Sequence, residues 1–215
     1  MTFLKNISDI HLDILKEVGN IGAGHAATAL STLMNKKIDM TVPSVRVVSF
    51  DEVMELAGGA DNVVASVFLR IEGEAPGSMF FILPLPQAEK YIRQLTKNQS
   101  FTFSDVQDND IELAMSALQE LGNILSGSYL SSLSDFTHLS LYPSVPALSV
   151  DMVGAVITFG LLELSQVSDY AIVIDTALDE EDAKLPESVR GHFFLLPDPD
   201  SFHIIFSALG VKVDA

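Results

Sequence analysis

A carboxylate and an amide recur at helical spacing in two places in this chain. Glu17 and Asn20 follow Asp13, and Glu120 and Asn123 follow Ser116. Steps of i, i+4 and i+7 place each trio on one stripe of a helix. Neither group has an adjacent base that would make it a nucleophile. The pair can instead orient a water molecule and grip a cation. That suits a dephosphorylation in which a partner supplies the phosphoryl group, a divalent ion and charge stabilisation. This chain would add an amide that holds the attacking water in line and a glutamate that anchors a lysine of the partner. A polar stripe is also what the solvated side of any amphipathic helix looks like. Repetition shifts the balance towards chemistry, although duplication from a common ancestor would supply a second copy without selection.

The elements that must carry these residues are themselves repeated. A constant interval of 103 residues relates 13 to 116, 17 to 120, 20 to 123, and Pro43 in VPSV to Pro146 in VPAL. Further on, FFILPLP at 80–86 is echoed by FFLLPDP at 193–199, an interval of 113. An insertion of about ten residues therefore lies between, and the acidic stretch from Asp179 to Pro186 reads as its solvated loop. Each half predicts a long helix (8–35 and 108–133), strands at 38–49, 62–72 and 78–83 with counterparts near 138–149, 169–176 and 190–196, a short helix, and a closing helix at 86–96 and 199–209 opened by proline. Ser104, Asp105 and Asp108 are candidate caps for the second long helix. Residues 97–100 form a short polar connector. Two half-sheets of this size are too small to stand alone. The expectation is therefore an α+β fold: one pseudo-two-fold, internally duplicated domain over 1–215, with repeats at 8–96 and 108–211, a mixed β-sheet, and both motif-bearing helices on one face.

Composition excludes several alternatives. The chain has 215 residues, 48% of them hydrophobic, enough for a substantial core, and no cysteine, so disulfides, thiolate metal sites and a cysteine nucleophile are absent. A formal net charge of −17 disfavours nucleic acid, whose binding rests on phosphate neutralisation. The first residues, MTFLKNISDIHLDILKEV, lack an apolar core of signal-peptide length, so the expected location is the cytoplasm. The apolar run at 153–164 is too short to cross a bilayer, and no membrane insertion is expected. The five histidines form no i, i+4 pair or carboxylate cluster, so no resident metal is expected. Gly19, Gly22 and Gly24 have the wrong order and context for a dinucleotide loop, and Gly22, Ala23, Gly24, Ala26 and Ala27 read as a thin packing face, matched by Ser126, Gly127 and Ser128. Met34, Met40, Met54 and Met152 read as core fillers.

The pattern Asp13/Glu17/Asn20/Pro43 and Ser116/Glu120/Asn123/Pro146 resembles the signature of the CheC, CheX and FliY phosphatases, which act on phosphorylated CheY, over nearly the whole chain. Two complete motifs without a long extra terminal domain resemble the CheC type in particular. The resemblance implies a CheC-like fold and a hydrolase acting on the aspartyl-phosphate of CheY. It assigns Asn20 and Asn123 to water positioning, Glu17 and Glu120 to docking a receiver lysine, and Asp13 and Ser116 to a variable first position. Pro43 and Pro146 become structural, and Mg2+ is expected on CheY rather than on this protein. It also implies binding to CheD, a receptor glutamine deamidase, through the region after the second-site strand, with Asp151 the candidate contact or else a helix cap. The alternatives are a non-catalytic module that binds CheY-phosphate or CheD, and a flagellar-switch subunit, since the switch protein FliM shares the fold.

Overall fold

A computed structural model describes residues 7–105, 108–164, 170–180 and 189–210. The first half contributes α1 (Asp9–Met34), β1 (Ile38–Thr41), β2 (Val45–Ser49), α2 (Phe50–Leu56), β3 (Val63–Gly73), β4 (Gly77–Pro84) and α3 (Leu85–Thr96). The second runs α4 (Asp108–Thr137), β5 (Leu141–Pro143), β6 (Ala147–Met152), α5 (Val153–Leu164), β7 (Tyr170–Glu180), β8 (Val189–Pro197) and α6 (Pro199–Ala208). The expected single strand at 38–49 is broken at Pro43, which has no N–H to give to a ladder. Asn35, in the left-handed conformation at φ 50°, ends α1. Proline in the first turn opens α3 and α6, as expected.

All eight strands join one sheet, in the order β1-β7-β8-β4-β3-β5, with β2 also on β7 and β6 also on β3. Exchanging the halves leaves that order unchanged, so the pseudo-two-fold passes between β8 and β4. The first strands of each half pair with the hairpin of the other, so neither repeat owns a complete sheet. One expectation is corrected: every described pairing is antiparallel, not mixed. Short hairpins make β3–β4 and β7–β8 antiparallel, and a two-fold normal to the sheet reverses one of two equivalent neighbours.

The structure also moves the insertion. Ala65 and Val67 share the larger core with Ile172 and Ile174, an interval of 107, and Phe81 and Leu83 share it with Phe193 and Leu195, an interval of 112. Phe80 lies on the opposite face, with Phe194. The FFILP/FFLLP echo is thus one residue out of step with the fold, because a slip of one turns every side chain to the other face. Extra residues enter both before and after β7. Asp179 and Glu180 end β7 rather than opening a loop, and the rest of the expected acidic loop, 181–188, lies outside the described residues.

The larger core lies between one sheet face and α1, α3, α4 and α6, and a smaller one under α2 and α5 on the other. Leu15, Leu30, Leu121, Leu125, Leu130 and Leu133 of the long helices are fully buried. Burial of each stabilises the fold by about 1.5–3 kcal/mol. The connector is pinned: Arg93 donates to the Phe101 carbonyl (2.7 Å), the Phe103 N–H donates to Glu89 (2.9 Å), and Phe101 is buried. Met34, Met40 and Met54 pack against the cores, but Met152 is 46% exposed at the end of β6.

Candidate functional site

The buried stripe of α1 runs through Leu15, Val18, Gly22 and Ala26, which turns Asp13 and Glu17 to solvent and leaves Asn20 half-buried at the helix edge. In α4 the stripe runs through Ala114, Leu118, Leu121 and Leu125, with Ser116, Glu120 and Asn123 exposed. A glycine precedes each asparagine, and both glycines are buried against neighbours. A Cβ on Gly19 would lie 3.3 Å from Val42 Cγ2, and one on Gly122 would lie 2.6 Å from Val67 Cγ1. The missing side chain lets each long helix settle close to its neighbours one residue before the amide. Gly22 serves α1–α4 contact, its absent Cβ facing the Tyr129 backbone at 3.0 Å, whereas Gly24 and Gly127 face open space and are not packing residues.

The two asparagines differ in their surroundings. Asn20 Oδ1 accepts the Val42 N–H (3.0 Å) and Asn20 Nδ2 donates to the Lys16 carbonyl (3.0 Å). These partners fix which end of the amide is oxygen, and they leave one N–H and one lone pair free. The Asn123 side chain makes no hydrogen bond among the described residues, and Val145, the counterpart of Val42, is 85% exposed. Pro43 and Pro146 sit at the breaks between β1 and β2 and between β5 and β6, exposed and half-buried respectively. Tyr91 of α3 is buried, and burial together with the charge of Glu120 pushes its phenol pKa upward, so it stays neutral beside the second motif.

Sequence reasoning missed one pair. Ile10 (63% exposed) and Leu113 (54% exposed) lie three residues before Asp13 and Ser116, 103 residues apart, extending both polar stripes with a bare aliphatic side chain. An apolar residue off the buried stripe, repeated at the motif interval, was the available signal. Asp151 lies in β6 opposite Val64, exposed, and its own Oδ1 accepts the Met152 N–H (2.7 Å). It does not cap α5, whose first residues Val153 and Gly154 donate to the Asn62 and Ala60 carbonyls (both 2.8 Å). Among the described residues no cluster of three or more His, Cys, Asp or Glu could hold a metal ion, and no helix is long and apolar enough to cross a membrane.

The arrangement therefore offers two separate solvent-facing carboxylate and amide pairs with no nucleophile. The profile of the CheC-like family matches residues 10–47 and 113–150, two blocks at the motif interval that enclose both helix motifs and both prolines. The chain is 52% identical over 213 residues to the CheY-P phosphatase CheC of Bacillus subtilis (strain 168), covering 99% of this chain and all of that one. In fold it is similar to FliY of Thermotoga maritima (TM-score 0.74, 19% identity, 95% of this chain and 98% of that one). It is also similar in fold to a chain of the CheX-CheY-BeF3-Mg+2 complex of Borrelia burgdorferi (TM-score 0.50, 17% identity, 82% of this chain and 96% of that one).

Proposed function

The chain belongs to the CheC-like family, and from that premise we propose that it is a phosphatase that hydrolyses the aspartyl-phosphate of the response regulator CheY. The observation that carries the reading is the double presentation of Glu and Asn off the buried stripes of two long helices, Asn20 half-buried and the other three exposed. With no nucleophile on this side, the chemistry falls to positioning. Asn20 or Asn123 holds a water in line with the phosphorus through a free N–H and lone pair, and Glu17 or Glu120 docks a lysine of the receiver. The phosphoryl group and its Mg2+ belong to CheY. Asp13 and Ser116 flank the docking glutamates, and Pro43 and Pro146 shape the strand breaks.

Decay of phosphorylated CheY tests this with wild type, Asn20→Ala, Asn123→Ala and the double variant. The double variant is expected to fall to the spontaneous rate while still binding CheY. Wild-type acceleration by the double variant would exclude the catalytic assignment, and loss of binding in step with loss of rate would favour a docking module. The family membership extends the proposal to a cytoplasmic setting and to regulation of CheD, with exposed Asp151 as a contact. Asp151→Ala is expected to weaken CheD binding without altering CheY-phosphate decay.

A further inference from the structure

The two halves differ on the sheet face remote from the motif helices. Asp175 of β7 pairs across the hairpin with His192 of β8, whose Nδ1 lies 2.8 Å from Asp175 Oδ1. Asp175 Oδ2 also accepts from the Ser44 hydroxyl and from Arg46 Nη2 (3.1 Å), and the Asp175 N–H donates to the Ser44 carbonyl (3.0 Å). Burial alone would raise the Asp175 pKa, but hydrogen bonds from His192 and Ser44 and the Arg46 charge outweigh it and hold the carboxyl down at about 2. In the other half the equivalent positions are Phe68, Phe80 and Ala147. Phe68 pairs with Phe80 at a ring-centroid distance of 4.7 Å and faces Ala147 across the ladder. The same cross-strand contact is kept, but it is polar in one half and aromatic in the other.

Ser44 is two residues from Val42, and Pro43 between them is fixed in φ. A grip on Ser44 therefore fixes where the Val42 N–H points, and that N–H holds Asn20. Beside the second site the hold comes one residue earlier instead: the Ser144 N–H donates to the Arg70 carbonyl (2.8 Å) and Ser144 Oγ accepts the Arg70 N–H (3.0 Å), while Val145 stands in solvent and the Asn123 side chain is untethered.

We propose that Asp175 is a positioning residue for the first site: clamped to Ser44 and His192, it holds the Val42–Ser44 break so that Val42 presents its N–H to Asn20 and preorganises that amide, a carboxylate clamp that Phe68, Phe80 and Ala147 do not offer the second site. The proposal rests on the phosphatase reading for its catalytic consequence only.

The test uses Asp175→Asn, Ser44→Ala, and the triple change Ser44→Ala/Asp175→Phe/His192→Phe, which puts beside the first site the residue types that Ala147, Phe68 and Phe80 supply beside the second. Hydrogen exchange at the Val42 amide is expected to speed up about tenfold, the worth of one lost hydrogen bond, and the Asn20 side-chain NH2 signals to move to exposed-amide positions. In an Asn123→Ala background, kcat on phosphorylated CheY is expected to fall about tenfold with KM unchanged. In an Asn20→Ala background it stays within about twofold, and Ser44→Thr, which keeps the hydroxyl, restores the first-site rate. Unchanged Val42 exchange in all three variants would overturn the clamp, as would equal losses in both backgrounds. The exchange readout needs no phosphatase activity, so failure of the functional reading leaves it interpretable.

Discussion

Substituting Gly122 separates close packing from helix propensity. An alanine there would put its Cβ 2.6 and 2.7 Å from the two Val67 methyls and 3.0 Å from Val67 Cβ. Val67 is β-branched, buried and held in β3 between β4 and β6, so it has no free end to swing aside. Overpacking of this kind costs about 1–3 kcal/mol. Alanine in place of a helical glycine returns about 1 kcal/mol. The expected net effect of Gly122→Ala is a loss of up to about 2 kcal/mol, a fall of up to roughly 4–8 °C in Tm for a chain of this size. Gly24→Ala, at a helical position with nothing within 4 Å, gives the propensity gain alone, about 0.5–1 kcal/mol of added stability. Urea and thermal unfolding of the two variants, with Gly122→Ala/Val67→Ala completing a double-mutant cycle, supply the numbers. Because Asn123 follows Gly122 directly, lifting α4 off β3 also displaces the amide, and CheY-phosphate turnover at the second site is expected to drop more than Tm alone suggests. A Gly122→Ala variant as stabilised as Gly24→Ala would refute the close-approach argument.

Ile10→Ala and Leu113→Ala remove the two exposed aliphatic groups beside the motifs, so KM for phosphorylated CheY is expected to rise about three- to tenfold with kcat unchanged, read by steady-state phosphate release. Asp175, with its folded pKa near 2 against 3.8 unfolded, contributes stability that is complete above about pH 4 and disappears as pH falls through 2. Its partial exposure reduces that contribution to about 1 kcal/mol. Urea titrations of wild type and Asp175→Asn are therefore expected to differ at pH 6 and to converge near pH 2. Asn35→Gly, at a helix end with φ 50°, is expected to keep stability within about 0.5 kcal/mol, while Asn35→Val loses more than 1 kcal/mol by the same unfolding assay.

The sequence by itself determined the repeat and the helix faces, because 103-residue periodicity and i, i+4, i+7 spacing are local properties that survive without coordinates. Glu17, Asn20, Glu120 and Asn123 stand where that spacing puts them, off the buried stripes of α1 and α4. Strand pairing was not legible. That β1 and β2 complete the other half's hairpin depends on contacts more than a hundred residues apart, and no propensity encodes them. The FF echo misled by one residue because alternation in a strand has period two, and only packing decides which aromatic faces which core. The polar clamp was hidden for the same reason: Ser44, Asp175 and His192 are unremarkable along the chain and meet only when β2, β7 and β8 lie side by side. What tertiary structure alone decided is that two motifs written alike sit in unlike surroundings. The Asn20 side chain is tethered to Val42 and that of Asn123 stands free, because a hydrogen bond depends on where the neighbouring strand break is held rather than on the motif itself.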